Sequence, residues 1–169
     1  MLLSAFIRRS FNPQPKELLV NVIRFLTLIA CLLIGSSAFA ADGFVSLKST
    51  HSARDTMNRL EEIVKKRGFT IFARIDHSAG AANVGLSLRP TELLIFGNPA
   101  GGTPFMACAQ TVGIDLPLKA LVWEDASSQV WLGYNDPAYI AKRHGVPECA
   151  VVEKMRKALD GIAEAAVAP

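Results

Sequence analysis

Four consecutive apolar residues, Leu93-Leu94-Ile95-Phe96, run without a break into Gly97-Asn98-Pro99-Ala100-Gly101-Gly102. This junction constrains the fold more than any other feature of the chain. The run is too short for a helix, and Arg89-Pro90 just before it imposes extended backbone. It therefore reads as a central strand covered on both faces. The chain must then leave the sheet sharply. Thr103-Pro104 supplies an N-cap and a first-turn proline for a helix reaching Val112.

The patterning on either side fills in the architecture. Gly43–Ser49 reads as a short strand. Ser52 opens a helix, with Asp55 three residues on as an approximate capping box. Ala53, Met57, Leu60 and Val64 form its apolar stripe, and Gly68 suits the position just past its end. Lys65-Lys66-Arg67 reads as a solvated terminus at the end favoured by the helix dipole.

Phe69, Ile71, Ala73 and Ile75 alternate with Thr70, Phe72, Arg74 and Asp76, which is the period of a strand. His77–Val84 is a short or irregular helix. Leu118–Glu124 and Gln129–Tyr134 form a hairpin around Asp125–Ser128. Trp123 and Trp131 sit on its two strands, where they can stack. Asp136-Pro137 begins a short helix, and Val152, Met155, Leu159, Ile162 and Ala166 mark an amphipathic C-terminal one. The order predicts an α+β fold, a two-layer sandwich of a mainly antiparallel sheet with helices on one face. Two strand–helix–strand units read as an internal duplication, and the open sheet face favours a homodimer.

Residues 1–40 read as a signal peptide. Arg24 precedes an uncharged run from Phe25 to Ile34, and Ala38-Phe39-Ala40 is a small-x-small cleavage pattern. The run is about half a bilayer span, so no membrane span is expected after cleavage. Leu28-Ile29-Ala30-Cys31 resembles a lipobox, the alternative being an anchor through Cys31. Met1–Leu19 is unusual for a leader and points to translation starting near Val20 or Val22. The expected location is periplasmic or secreted.

The leader also carries the charge asymmetry. The chain has 18 basic and 15 acidic residues, and the first 40 hold Arg8, Arg9, Lys16 and Arg24 against Glu17. Fourteen of each sign therefore remain in residues 41–169, and the sequence pI of 8.9 describes the leader. A formally neutral domain offers no electrostatic reason to expect nucleic acid. One domain of this length can bury its own core. Of the cysteines, Cys108 and Cys149 lie in it. Two separately buried thiols is the preferred reading; an exported protein can also join them as a disulfide.

Candidate chemistry concentrates in Ile75–Pro104. Gly97, Asn98, Gly101, Gly102 and Thr103 lead to a helix start, where backbone N–H groups and the helix dipole can hold a small anion. The Gly-Lys-Ser/Thr ending of a P-loop is absent, so nucleotide binding is not indicated. Asp76-His77 is the best ionisable pair, since imidazole titrates near neutrality. The plainer alternative is that Asp76 caps the next helix and His77 is a surface residue. Arg74 and Arg89 can lend charge to an anion. His51, His77, His144, Met106, Cys108 and Cys149 are dispersed without metal-ligand spacing, and no metal is assigned. The first reading is a small-ligand binding module using Asp76, His77 and Gly97–Thr103. An enzyme with His77 as acid/base and Cys108 as a thiol, or a structural homodimeric envelope partner, are the alternatives. No cofactor can be named.

Lys66-Arg67-Gly68-Phe69-Thr70, Arg74-Ile75-Asp76-His77 and Arg89–Pro99 carry a family resemblance. Gly102-Thr103-Pro104, Asp115-Leu116-Pro117-Leu118 and Tyr134-Asn135-Asp136-Pro137 extend it in the same order. Together they resemble the DUF302 family, from about Gly43 to Gly145. The resemblance implies a compact α+β domain, often exported and dimeric, with no accepted catalytic residues to carry over.

Overall fold

The computed structural model describes residues 43–169. The signal peptide, its cleavage after Ala40, the Cys31 lipobox and the translation start lie outside the described residues. Five strands form one sheet: β1 (Phe44–Ser49), β2 (Thr70–Asp76), β3 (Thr91–Gly97), β4 (Leu118–Glu124) and β5 (Val130–Asn135). Their order is β1-β5-β4-β3-β2, and every neighbouring pair is antiparallel. The helices are α1 (Ala53–Lys66), α2 (His77–Asn83), α3 (Pro99–Cys108), α4 (Pro137–Arg143) and α5 (Val151–Val167), with a 3-10 turn at Gln110–Ile114. This is an α+β fold.

The period of two places Leu94, Phe96, Leu118, Ala120, Val122, Val130, Leu132 and Tyr134 on one buried face. Met57, Leu60 and Val64 of α1 and Met155, Leu159 and Ile162 of α5 close over it. α1 and α5 lie against each other as well as against the sheet. The polar groups caught in this layer are satisfied: Thr56 Oγ1 donates to Ser52 O at 2.8 Å and lies 2.7 Å from Ser49 Oγ. Arg59 reaches across to the end of α5, its Nε donating to Ala166 O at 3.0 Å. Tyr134 donates its hydroxyl to Asp160 at 2.5 Å, and burial with that bond raises the phenol well above its usual range.

Local signals act where they were read. Ser52 Oγ accepts from Asp55 N at 3.1 Å and donates to Asp55 Oδ2 at 2.7 Å, capping α1. Gly68 takes φ +76°, with Gly68 N bonded to Lys65 O and Phe69 N to Val64 O. That pair of bonds is a Schellman ending, in which the left-handed residue is cheapest as glycine. Trp123 and Trp131 are cross-strand partners and stack at 6.2 Å between centroids. Asp125 holds the hairpin between them, accepting from Ser127 N, Gln129 N and Trp131 Nε1. The bonds from Ser127 and Trp131 drive its carboxyl far below the usual range.

Three expectations are corrected. Leu93 and Ile95 are only half-buried while Leu94 and Phe96 are fully buried, so β3 has one core face and one open face. The unbroken apolar run had suggested cover on both; here the second face carries apolar side chains without a second layer. The duplication is absent from the topology. β1 and β2 stand at opposite edges of the sheet, whereas β3 and β4 are direct neighbours, so the two strand–helix–strand units differ in kind. Finally, α3 begins at Pro99 with Asn98 as its N-cap, and Thr103 and Pro104 fall inside it. Asn98 can accept at the first turn and Pro99 needs no donor there, so the earlier cap wins.

Leu60 is fully enclosed between α1 and the sheet. Leu60→Ala is expected to cost about 2–5 kcal/mol, because the rigid layers on both sides cannot collapse into the space. Chemical denaturation read by far-UV circular dichroism checks this; an unchanged midpoint would refute the packing described.

Candidate functional site

A cavity of about 490 Å³ opens where the end of β3, the α3 segment and the N-terminal half of α5 meet. That volume is in the range of small-molecule sites. Its walls come from four parts of the chain. Phe69 precedes β2 and Phe72 lies within it, while Leu116 and Pro117 lead into β4 at Leu118. Val151, Met155, Ala158 and Leu159 form the face of α5, and Met106 projects from α3. The remaining wall is Gly97–Thr103 itself. Two charged side chains line the space, Arg67 and Lys154, and both are cations.

The glycine segment reaches this wall by an unexpected route. No glycine in it has positive φ among the described residues. Nor are its first amides offered to a ligand. Ala100 N donates to Asn98 Oδ1 at 2.9 Å, and Gly101 N and Gly102 N donate to Asn98 O at 2.9 and 3.0 Å. The backbone anion cradle expected at Gly97–Thr103 is therefore corrected: Asn98 consumes the donors that would have formed it. The glycines matter for space instead. A Cβ at Gly97 would meet Phe72 and Pro117 at 3.4 and 3.5 Å, and one at Gly102 would meet Leu116 at 3.5 Å. All three neighbours line the cavity, so side chains there would grow into it. Asn98 Nδ2 also donates to Gly68 O at 3.2 Å, tying this wall to the end of α1.

Asp76 and His77 are not part of the cavity lining. Asp76 caps α2, its Oδ1 accepting from Ala79 N at 2.9 Å, and that bond lowers its carboxyl below the usual range. His77 is an exposed first-turn residue. The pair forms a helix start away from the cavity, and of the predicted site residues Gly97, Asn98, Gly101, Gly102 and Thr103 reach it. Arg74 is committed elsewhere, to Glu92 at 2.6 Å and Glu61 at 3.1 Å. Arg89 donates to Glu124 O.

The expectation of separate buried thiols is also corrected. Cys108 and Cys149 form a disulfide, with Cys108 exposed at the end of α3 and Cys149 buried just before α5. It clamps two cavity walls together. It also ties up the Cys108 thiol that the enzymatic alternative offered as an optional participant.

Three participants escaped sequence reasoning. Arg67, read as a solvated helix terminus, reaches across to α5, with Nη2 donating to Gly161 O at 2.9 Å. A Cβ at Gly161 would stand 3.2 Å from Arg67 Nη1, so that glycine leaves room for the guanidinium. Lys154 carries no local signal beyond being a polar position on the amphipathic α5. His144 bridges Asp115 Oδ2 at 2.7 Å and Thr111 Oγ1 at 2.9 Å, pinning the segment that carries Gly113 and Leu116 into the cavity wall. Its partners are 29 and 33 residues away, so no local pattern could signal it. Among the described residues no group of three or more His, Cys, Asp or Glu converges as metal ligands would.

The family described as Domain of unknown function DUF302 matches residues 45–162. The crystal structure of an uncharacterized conserved DUF302 protein from Bacillus stearothermophilus is similar in fold, with a TM-score of 0.68 at 20% identity. That match covers 75% of this chain and 99% of the other. The fluoride-specific ion channel FluC 1 of Brucella suis biovar 1 is 50% identical over 104 residues, 62% of this chain and 41% of the channel protein. FluC 2 of Brucella melitensis biotype 1 is equally similar, with 38% of its length matched. The chain thus spans about two fifths of the curated relatives it matches. Among the described residues no helix is long and apolar enough to cross a membrane.

The disulfide closes a loop of 41 residues. Its reduction, or Cys108→Ser with Cys149→Ser, should lower stability by about 4 kcal/mol in the chain-entropy account. Urea denaturation with and without a dithiol measures this, and coincident curves would contradict the clamp.

Proposed function

Because this chain belongs to the DUF302 family, whose function is undefined, we propose its role from the cavity: a periplasmic or secreted, non-catalytic module that binds a small, largely apolar molecule between α3 and α5. The observation that supports this most directly is a preformed space of about 490 Å³ whose wall at Gly97, Gly101 and Gly102 carries no side chains. Phenylalanine and methionine supply adaptable apolar surface around it. Catalysis lacks comparable support, since Cys108 is bonded and His77 stands outside the cavity.

Fluoride conduction belongs to the longer Brucella proteins named for it. On this reading, the segment they share with this chain is a binding module carried within a larger protein.

A neutral environment-sensitive dye, N-phenyl-1-naphthylamine, provides the test. Saturable one-to-one fluorescence enhancement is expected in the wild type. Gly102→Leu should abolish it, because the added side chain grows toward Leu116 across the cavity. Leucine is also the better helix former by somewhat under about 1 kcal/mol, so loss of binding without loss of thermal stability separates filling from unfolding. Equal dye binding by both proteins would defeat the proposal.

A homodimer is favoured by a separate observation. Phe44, Leu93, Ile95, Leu121, Trp123 and Trp131 share the sheet face away from α1 and α5 and are only half-buried. Contiguous apolar surface of this kind commonly marks an interface. Sedimentation equilibrium should return twice the monomer mass, falling to the monomer in Leu121→Lys; a wild-type monomer at all concentrations would end this reading.

A further inference from the structure

We infer that the occupant of the cavity is a single-chain amphiphilic anion, a hydrocarbon body ending in a carboxylate, with its head held at Lys154 and Arg67. This rests on the binding reading above and adds the ligand class.

The argument begins with the face of α5. Val151, Lys154, Met155, Ala158 and Leu159 line the cavity at spacings of three, one, three and one, which is one stripe of the helix. Within that stripe Lys154 is the single charge. Arg67 enters the same stripe from α1, bonding Gly161 O at 2.9 Å and approaching Ala158 O at 3.5 Å. Gly161, the closer of these two partners, lies seven positions beyond 154, about 10 Å along the axis. Two cations therefore line an otherwise apolar space, at different levels of the same helix.

Neither cation is neutralised. Arg67 spends its donors on carbonyl oxygens, which leave its charge uncompensated. The acids of α5 nearest to Lys154 are engaged with other partners: Glu153 with Arg156 and Lys157, and Asp160 with Arg156. Among the described residues Lys154 has no ion pair within 4.0 Å, and no acidic side chain lines the cavity. Without counter-ions of their own, both charges attract an anion that enters the cavity beside them. A carboxylate fits better than a bare inorganic anion because the body of the site is apolar: Phe69, Phe72, Met106, Leu116 and Met155 need a hydrocarbon against them. A diacyl lipid needs far more volume than this one pocket offers, so the fit is to one chain.

The experiment uses the purified protein with its disulfide intact, stripped of lipid on a hydrophobic resin. Dodecanoate and dodecan-1-ol, below micelle-forming concentrations, are compared by isothermal titration calorimetry. The carboxylate is expected to bind about tenfold more tightly than the alcohol, the scale of one charge-assisted hydrogen bond. Lys154→Met should erase most of that preference, bringing the affinity for the acid close to that for the alcohol. Lys154 is exposed and unbonded, so this variant keeps the fold, as circular dichroism will verify. Equal binding of acid and alcohol by the wild type would overturn the ligand class while leaving the cavity reading intact. No binding of either would remove both. Co-sedimentation with phosphatidylglycerol vesicles but not with phosphatidylcholine vesicles, without calorimetric binding of dodecanoate, would overturn the inference in favour of a membrane surface.

Discussion

Everything in this domain depends on two apolar helix stripes being buried on one face of one sheet. α1 brings Met57, Leu60 and Val64, and α5 brings Met155, Leu159 and Ile162, against Leu94, Phe96, Ala120, Val122 and Leu132. Burial of this kind is the dominant favourable term in folding. It also dictates the rest of the geometry. The two helices lie side by side across the five-stranded sheet, α1 over β2 to β5 and α5 over β1 and β5, and α3 packs against the flank of α5. The cavity is the space that remains between α3, α5 and the end of β3.

That space stays open for identifiable reasons. The α3 segment is a poor helix by composition, with Gly101, Gly102 and Pro104 in its first six residues. It is held by three anchors outside the propensity scale: the Asn98 cap, the complete burial of Phe105 and the bond from Cys108 to Cys149. A better helix former at 101 or 102 would gain local stability and lose the room. Such a conflict between local preference and global shape is expected at functional positions. The opposite wall is fixed by His144 with Asp115 and Thr111, so neither side depends on a ligand for its placement.

Much of the fold was legible in the sequence because it rests on short-range periodicities. The stripes of α1 and α5, the Ser52 cap, the Gly68 ending and the Trp123–Trp131 hairpin all follow from residues within a few turns of each other. The α+β class follows from their order. Errors arose where two local signals competed or where pairing was long-range. Asn98-Pro99 and Thr103-Pro104 are both sound helix starts, and the structure uses the first. Strand order is not a local property, so the apparent duplication dissolved once β1 and β2 were placed at opposite edges.

For the candidate site the division is sharper. By itself the sequence determined that Gly97–Thr103 would be a special connection, since a strand cannot continue through Asn98-Pro99 and glycine leaves a wall without side chains. Only the tertiary structure decided what that wall faces. It turned the expected backbone cradle into an apolar cavity, because Asn98 takes up the first amides of α3. It left Asp76 and His77 outside, because the helix that Asp76 caps begins at His77 and the cavity opens elsewhere, where α3 meets α5. It brought in Arg67 and Lys154, 87 positions apart in the chain, because the packing of α1 against α5 delivers both to one stripe of one helix. Local patterns encode where a chain bends and which face is apolar; which distant side chains share a space depends on packing, and packing is a property of the whole chain.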